Sequence, residues 1–521
     1  MHSYCQSYAL PYRPDPTGYF ASLRGAPGAV LLDSGRPAAR RGRYDIMSAW
    51  PRASLRPETR ESGPRFFLRL RAALAQLGSA EIPEELDLPF AGGLLGYLSY
   101  DFGRRLDAPA DRPADDVVLP DAQFGVYDWA LVSDHHRQTT QLVFHPACAL
   151  DVRKRLATLF EEVASRLVDA DALTDRGPES ALTPTGDPYP EREGTAENAA
   201  TAGPLNAGSS LSGPSIDDSF RLLDAFQSST DKDTYRRAIE RILEYIRAGD
   251  CYQVNYTQRF QAPYGGDPWQ AYLALRRACP TPFAGYLSLA GSAEPSPERP
   301  HETILSLSPE RFMRLQNRQI EARPIKGTRP RGATPEADRE QADALCNSVK
   351  DRAENLMIVD LLRNDIGRSS RIGSVHVPEL FSLESYPNVH HLVSCVRAEL
   401  AEGLDAFDLL AGSFPGGSIT GAPKIRAMQI IDELEPKRRS IYCGSLVYID
   451  VRGEMDSSIT IRTLLAKDGR ISCWGGGGIV MDSEWRDEYQ ESLDKVAVLL
   501  RTLEECFGPP RSVSDHTQSP E

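Results

Sequence analysis

A chain of 521 residues with 41% apolar and 25% charged side chains has the composition of a soluble globular protein, with room for one large core or two ordinary ones, which excludes disorder of the whole. A formal net charge of -14 argues against nucleic acid or an anionic membrane as a general partner, since a phosphate-tracking surface needs clustered lysine and arginine. The nine cysteines stand apart and none sits at metal-ligand spacing, so neither a disulfide framework nor a zinc site is expected, and a reducing cytoplasm fits.

Residues 1–13 carry no apolar signal core, and no apolar run approaches the ~18–20 residues of a membrane span. From residue 30 to 144 the chain shows short extended apolar runs at 30–32, 91–97, 125–132 and 141–144, separated by Gly, Pro and Asp, as in a strand-rich half. Residues 150–167 read as a helix. Between about 170 and 219 the composition turns to Pro, Gly, Ser, Thr, Ala and acidic residues with no sustained period. Such a segment cannot bury enough surface to offset its ordering entropy and reads as a flexible linker. The expected organisation is an N-terminal region 1–168, a linker 169–231, a catalytic region 232–508 and a disordered tail 509–521.

Beyond the linker, residues 232–248 have helical apolar spacing through Tyr235, Ile239, Ile242 and Ile246, followed by an extended stretch at 251–260. Strands are expected at 283–290 and 304–314, joined by a polar loop 291–301, and again at 320–325. Long helices are expected at 335–364 and 483–506. Between them lie a helix at 422–433 and strands near 444–451, 458–465 and 470–474. Antiparallel-type strands with a few long helices favour an α+β layered sandwich over a doubly wound parallel sheet.

Both long helices carry acidic faces. Asp351 and Glu354 are three apart, and Glu484, Glu488 and Glu491 follow at four and three residues with Lys495 one turn on. Carboxylates on two helices with no His or Cys beside them suit Mg²⁺, which takes one or two carboxylates and fills the rest with water and substrate oxygens. The same pattern also describes two solvated helix faces. Gly475-Gly476-Gly477-Gly478 lets backbone N–H groups approach an anion, or serves as a tight strand-to-helix turn; it is neither a GxGxxG loop nor a P-loop. Phe414 to Lys424 is a second glycine- and hydroxyl-rich loop opening a helix, a setting able to hold a carboxylate. Lys326, in Arg323-Pro324-Ile325-Lys326-Gly327-Thr328, is an amine just before a Gly-Thr turn, able to act as a nucleophile where its surroundings remove its proton.

Taken together, Leu305 to Phe312, Pro324 to Thr328, Asp351 to Gly367, Phe414 to Lys424 and Gly476 to Lys495 resemble the chorismate-utilising enzymes, nearly continuously from residue 232 to 503. Leu31-Leu32-Asp33-Ser34 and Leu88 to Gly93 extend the resemblance more weakly through the first half. The resemblance implies an αββα sandwich built from two intertwined halves. It implies Glu354 and Glu491 as Mg²⁺ ligands, with Glu488 nearby in support. Tyr442, Arg462 and the backbone of Gly476, Gly477 and Gly478 would hold the enolpyruvyl carboxylate of chorismate. Gly327, Thr328 and Thr420 would position the substrate, and Lys495 and His391 would sit against its ring. Ser34, Tyr44 and Phe283 would line an amino-acid pocket that takes tryptophan, although Asp33 replaces the Glu common in the regulated enzymes.

Within the family the resemblance points to the aminodeoxychorismate synthase branch. Anthranilate synthases, the runner-up, usually carry Ala where this chain has Lys326. Relatives that add water to chorismate carry a lysine base at the position of Gln253, and glutamine cannot deprotonate water. The implied mechanism has Lys326 attack the ring with Glu310 as general acid, after which ammonia displaces the lysine. Lys326 then needs a lowered pKa and Glu310 a raised one. No cysteine lies on the Gly-x-Cys-x-Gly elbow of a class I glutaminase, so ammonia is expected from a separate glutamine amidotransferase subunit. A third possibility is an inactive subunit or ligand sensor.

Overall fold

A computed structural model of the chain describes residues 3–39, 42–106, 116–172, 219–289, 302–385 and 389–509. Its strands form two antiparallel sheets of 13 and 10 strands, and each sheet mixes the two halves of the chain. In the larger, Val30–Asp33 pairs with Phe283–Ser288; in the smaller, Gly93–Leu98 pairs with Ser445–Asp450. The α+β layering follows from side-chain alternation, because successive strand residues face opposite ways. In the larger sheet Leu31, Met47, Leu131, Leu142, Leu305 and Leu464 pack in one core with the helices Leu150–Ala172, Pro268–Ala278 and Trp485–Phe507. Their neighbours Val30, Ile46, Val132, Val143, Ile304 and Leu465 pack in a second core, together with the smaller sheet and the helices Gly63–Leu77 and Val349–Gly367. A buried aliphatic side chain contributes roughly 1.5–3 kcal/mol. A one-residue slip would turn each of these the wrong way, so the register is strongly set.

Three stretches that read as single strands are each two, one in either sheet. Ala122–Tyr127 and Trp129–Asp134 change sheet at Asp128. Thr303–Ser308 and Arg311–Gln316 change at Pro309 and Glu310, where proline has no N–H to give a ladder. Met455–Ile459 and Thr463–Lys467 change at residues 460–462, where Arg462 takes a left-handed φ of 49°. Apolar periodicity runs unbroken through each crossover because both flanking strands are buried. The crossovers bring Glu310 and Arg462 to the seam between the sheets.

The expected helix 335–364 is likewise two, Pro335–Asn347 and Val349–Gly367. Ser348 breaks it with extended backbone, and its hydroxyl accepts from Asp351 N–H to cap the second helix. The glycine run is no turn. It lies inside the strand Arg470–Ile479, paired with Gln253–Gly265 from Gly475 opposite Gln258 to Gly478 opposite Asn255. The segment read as linker up to 231 is already folded at its end: Arg221–Leu222 and Gln227–Ser228 both pair with Gln253–Gly265, and Asp231 caps the helix Lys232–Arg247. The rest of the linker at 173–218, the loop 291–301 and the tail 510–521 lie outside the described residues. The strands flanking the loop pair antiparallel, Phe283 opposite Ser308.

Candidate active site

Strand Ile325–Pro330 pairs with Val389–Glu399, and its register slips at Gly327, so that Lys326 faces Leu392 while Thr328 faces His391. Glycine fits this bulge because its φ is +79° and a Cβ would meet Leu345 Cδ1 at 2.8 Å. Around the bulge, Lys326 Nζ lies 2.9 Å from Glu354 Oε1, and Thr328 Oγ1 lies 2.9 Å from His391 Nδ1. Glu354 arrives on the helix Val349–Gly367. The next residue, fully buried Asn355, accepts from Ser394 Oγ at 2.6 Å and donates to Leu392 O at 3.4 Å, which fastens the helix to the strand beside Lys326.

Burial pulls the Lys326 amine down, but the Glu354 carboxylate in contact with it outweighs burial and holds the amine above the usual lysine value. Burial pushes Glu354 up, and Lys326 outweighs that and holds it below the usual carboxylate range. The pair is therefore ionised. The lowered lysine pKa expected from the mechanism is not the resting state, because the counter-ion lies within contact distance.

Glu310, at its crossover, is buried, and burial pushes its carboxyl up to about 7 against the lowering pull of Lys326, Ser418 and Arg462. Arg462, at the other crossover, makes no side-chain hydrogen bond or ion pair among the described residues, while its charge acts on both Glu310 and His391. Burial, then Arg462, lowers His391 to about 4, so its imidazole is neutral near neutral pH. Tyr442 is buried and stacks on Trp474 at 6.1 Å and 7°. An unpaired guanidinium beside a neutral imidazole and a carboxyl that keeps part of its protons near neutral pH is a setting for a carboxylate ligand. Thr420 stands differently from expectation. It is fully buried, its hydroxyl donates to Gly416 O at 3.0 Å, and its own carbonyl accepts from Asn255 N–H, so it ties the 414–424 loop to the neighbouring strand.

Helix Trp485–Phe507 lies against the glycine run so closely that a Cβ at Gly475 would meet Ser492 O at 2.3 Å. At Gly477 a Cβ would lie 3.1 Å from Glu491 Oε1 and 3.2 Å from Glu488 Oε2, so the absent side chain leaves the space where these carboxylates converge. Lys495 Nζ bridges Glu491 Oε1 at 2.6 Å and Gly476 O at 2.9 Å, and Ser483 Oγ donates to Glu488 Oε1 at 2.6 Å. Burial, then Ser483 against it and Glu491 with it, leaves Glu488 raised. Glu491 also acts on Lys326, and Lys495 on Glu354, so the two acidic helices face one site. Among the described residues no three carboxylates are gathered into a ready-made metal cluster. The oxygen-only donors and the open space over Gly477 fit a hard cation that keeps much of its water.

The expected amino-acid pocket is separate. Tyr44 and Phe283 line a cavity of about 1030 Å³ between the sheets, while Ser34 sits behind Gly42 with its N–H on Asp45. Asp33 is fully engaged by Tyr272, Arg276 and the Gly35 N–H. The cavity also reaches Ile325 and Val393, the neighbours of Lys326 and Leu392 on the opposite face of their strands. The polar residues Asn255, Asn355 and Ser418 were not foreseen. Asn255 and Gln253 are two apart on one strand, which is a readable signal; the reach of Ser418 to Glu310 spans two loops and is not.

A chorismate binding enzyme family model matches residues 29–501. The aminodeoxychorismate synthase component 1 of Salmonella typhimurium is 44% identical over 510 residues, covering 95% of this chain and 97% of that one. The protein of the same name from Escherichia coli is 43% identical over 496 residues, covering 93% and 95%. Among solved structures, anthranilate synthase component I from Streptococcus pneumoniae superposes with a TM-score of 0.67 at 27% identity, over 88% of this chain and 92% of that one.

Proposed function

The chain belongs to the chorismate binding enzyme family, and on that footing we propose that it converts chorismate and ammonia to 4-amino-4-deoxychorismate, the precursor of 4-aminobenzoate in folate synthesis. The observation that carries this reading is a largely enclosed lysine amine, Lys326, set against Glu354 and under the charge of Glu491, one of the two carboxylates for which Gly477 leaves room. A relative that lets ammonia attack directly has no use for an amine there.

The neutral Lys326 Nζ forms a bond to C2 of chorismate while both ring double bonds shift and the C4–O bond breaks, the hydroxyl leaving as water with the proton of Glu310. Ammonia then forms a bond at C4, both double bonds shift back, and the C2–N bond to Lys326 breaks; the proton lost by the ammonia nitrogen restores Glu310, and lysine departs as the neutral amine. Glu310, raised to about 7, holds the proton that the first step needs. Arg462 matches a carboxylate with two parallel N–H bonds, beside Tyr442 and the backbone of Gly476 to Gly478. Gly327, Thr328 and His391 shape the ring's other side. Glu354 and Glu491, with Glu488 behind them, would hold Mg²⁺, which when bound supplies positive charge to the substrate's ring carboxylate. Glu354 is also the counter-ion of Lys326. A Glu354 engaged elsewhere removes the strongest pull that raises the amine and leaves burial against the lesser pulls of Glu310 and Glu491, a change toward the neutral, nucleophilic form.

Ammonia comes from a glutamine amidotransferase partner, in keeping with relatives named component 1. No helix among the described residues is long and apolar enough to cross a membrane, and the cytoplasm is the expected place. The cavity lined by Tyr44 and Phe283 is proposed to hold tryptophan or a similar amino acid. Incubation with chorismate, Mg²⁺ and ammonia tests the activity. Release of 4-aminobenzoate only after an aminodeoxychorismate lyase is added supports it; direct anthranilate fluorescence assigns the anthranilate synthase reaction instead.

A further inference from the structure

We propose that the cavity between the sheets holds an anion subsite at Arg314, which takes the carboxylate of an aromatic acid that needs no amino group. The subsite is independent of the amination chemistry and lies beyond the Tyr44 and Phe283 end proposed for an amino acid.

A surplus of charge on one row of the smaller sheet creates it. Arg314 lies opposite Asp456 on one neighbouring strand and opposite Glu321 on the other, and Glu321 in turn lies opposite Arg397. Residues directly opposite share a face, so the row alternates acid and base. A register irregularity between Arg311 and Arg314 brings a third arginine into it. Arg311 grips Asp456 through two bonds of 2.9 and 3.0 Å and stands 3.4 Å from Glu321 Oε1. Arg397 holds Glu321 Oε2 at 2.9 and 2.8 Å. Three arginines thus share two carboxylates. Arg314 is the one left over: it is half-buried, yet it makes no side-chain hydrogen bond or ion pair among the described residues.

That guanidinium opens into the cavity, whose volume of about 1030 Å³ is lined by Arg311, Arg314 and Asp456 among others. At one end Arg311 Cζ lies 5.0 Å over the Phe283 ring. Arg314 is three residues further along the strand Arg311–Gln316, toward the turn at Asn317, and its charge reaches the Tyr448 phenol. Buried Leu315, Leu446 and Met455 give the same cavity apolar walls. Glu454, also in the lining, already accepts the Asn317 N–H at 3.0 and 3.3 Å. A mostly apolar pocket orients its ligand by the few polar groups it offers. An unpaired guanidinium matches a carboxylate with two parallel N–H bonds. Both carboxylates of the row already hold an arginine, so an ammonium on the ligand has no counter-ion there.

The test titrates the full chain, without Mg²⁺, with indole-3-propionate and with tryptamine, which carries an ammonium in place of the carboxylate. By isothermal titration calorimetry the wild type is expected to bind the acid, and tryptamine about tenfold more weakly or less. Arg314→Gln is expected to weaken the acid about 10–100-fold, with Arg314→Lys between, and to leave tryptamine unchanged. Far-UV circular dichroism of both variants verifies the fold. Equal affinity of wild type and Arg314→Gln for the acid overturns the proposal, as does tryptamine bound as tightly as the acid. So does a wild type that binds no acid, or a loss of acid binding in Arg462→Ala instead, which would put the acid in the active site.

Discussion

Lys326 Nζ lies 2.9 Å from Glu354 Oε1, so the amine assigned to attack the ring rests on a carboxylate assigned to hold the cation. A cation drawn to this carboxylate would compete with the amine for its charge. This makes the charge state of Lys326 a property of what occupies the site rather than of the lysine alone.

Removing Glu354 exposes that dependence. Glu354→Gln deletes the carboxylate that raises Lys326, so the lysine pKa falls and its neutral fraction at a given pH increases. Acylation of Lys326 followed by mass spectrometry across pH should show the midpoint moving to lower pH than in wild type. The same variant should lose most chorismate turnover and need far more Mg²⁺.

Glu310 sets an alkaline limb. Its carboxyl sits at about 7 because it is buried, and the leaving hydroxyl needs its proton, so formation of the Lys326 adduct should decline as pH rises through that value. Glu310→Gln cannot donate and should slow adduct formation by about 10²–10⁴-fold, with the limb gone from what activity remains. Rapid-quench measurement of the adduct across pH reads both.

Arg462→Lys keeps the charge and loses the two-bond geometry, whereas Arg462→Ala loses both. Charge-assisted hydrogen bonds contribute about 1.5–3 kcal/mol, so the alanine variant should raise the KM for chorismate about 10–100-fold, with lysine between. Because Arg462 takes a φ of 49°, far-UV circular dichroism should accompany the kinetics to verify the crossover.

Gly475 and Gly477 separate fold from site on one strand. Alanine at 475 drives a Cβ to 2.3 Å from backbone at Ser492, which cannot yield, and should lower unfolding stability by about 1–3 kcal/mol. Alanine at 477 meets the carboxylate ends of Glu491 and Glu488 and the Lys495 amine, all side-chain ends rather than backbone. Gly477→Ala should unfold much as wild type does and show its defect in the Mg²⁺ dependence of turnover. Thermal unfolding and metal titration of both variants check the contrast.

Much of the fold was legible because its strands alternate and its long helices carry clear apolar stripes. The crossovers at Asp128, Glu310 and Arg462 were not, since burial on both sides of each keeps the apolar pattern continuous while the chain changes sheets. The break at Ser348 was hidden for a similar reason: a capping serine inside a helical period looks like any polar residue of the exposed face. At the site, motif likeness marked the ionisable groups. The ion pair of Lys326 with Glu354 depends on a bulge at Gly327 and on Asn355 anchoring a helix to a strand 37 residues further along the chain, contacts that no local pattern carries. The glycine run was read as a possible turn because glycine is rare within strands. Here each missing side chain makes room for something specific: Ser492 backbone at Gly475, the paired strand of Tyr256 and Thr257 at Gly476, two carboxylates at Gly477 and the Gln253 amide at Gly478.

The most direct test of the account is mass spectrometry of the protein after incubation with chorismate and Mg²⁺ in the absence of ammonia. A ring adduct on Lys326, discharged as 4-amino-4-deoxychorismate when ammonia is added, is the predicted result. Amination by Lys326→Ala at the wild-type rate, with no adduct on the wild-type lysine, would contradict it.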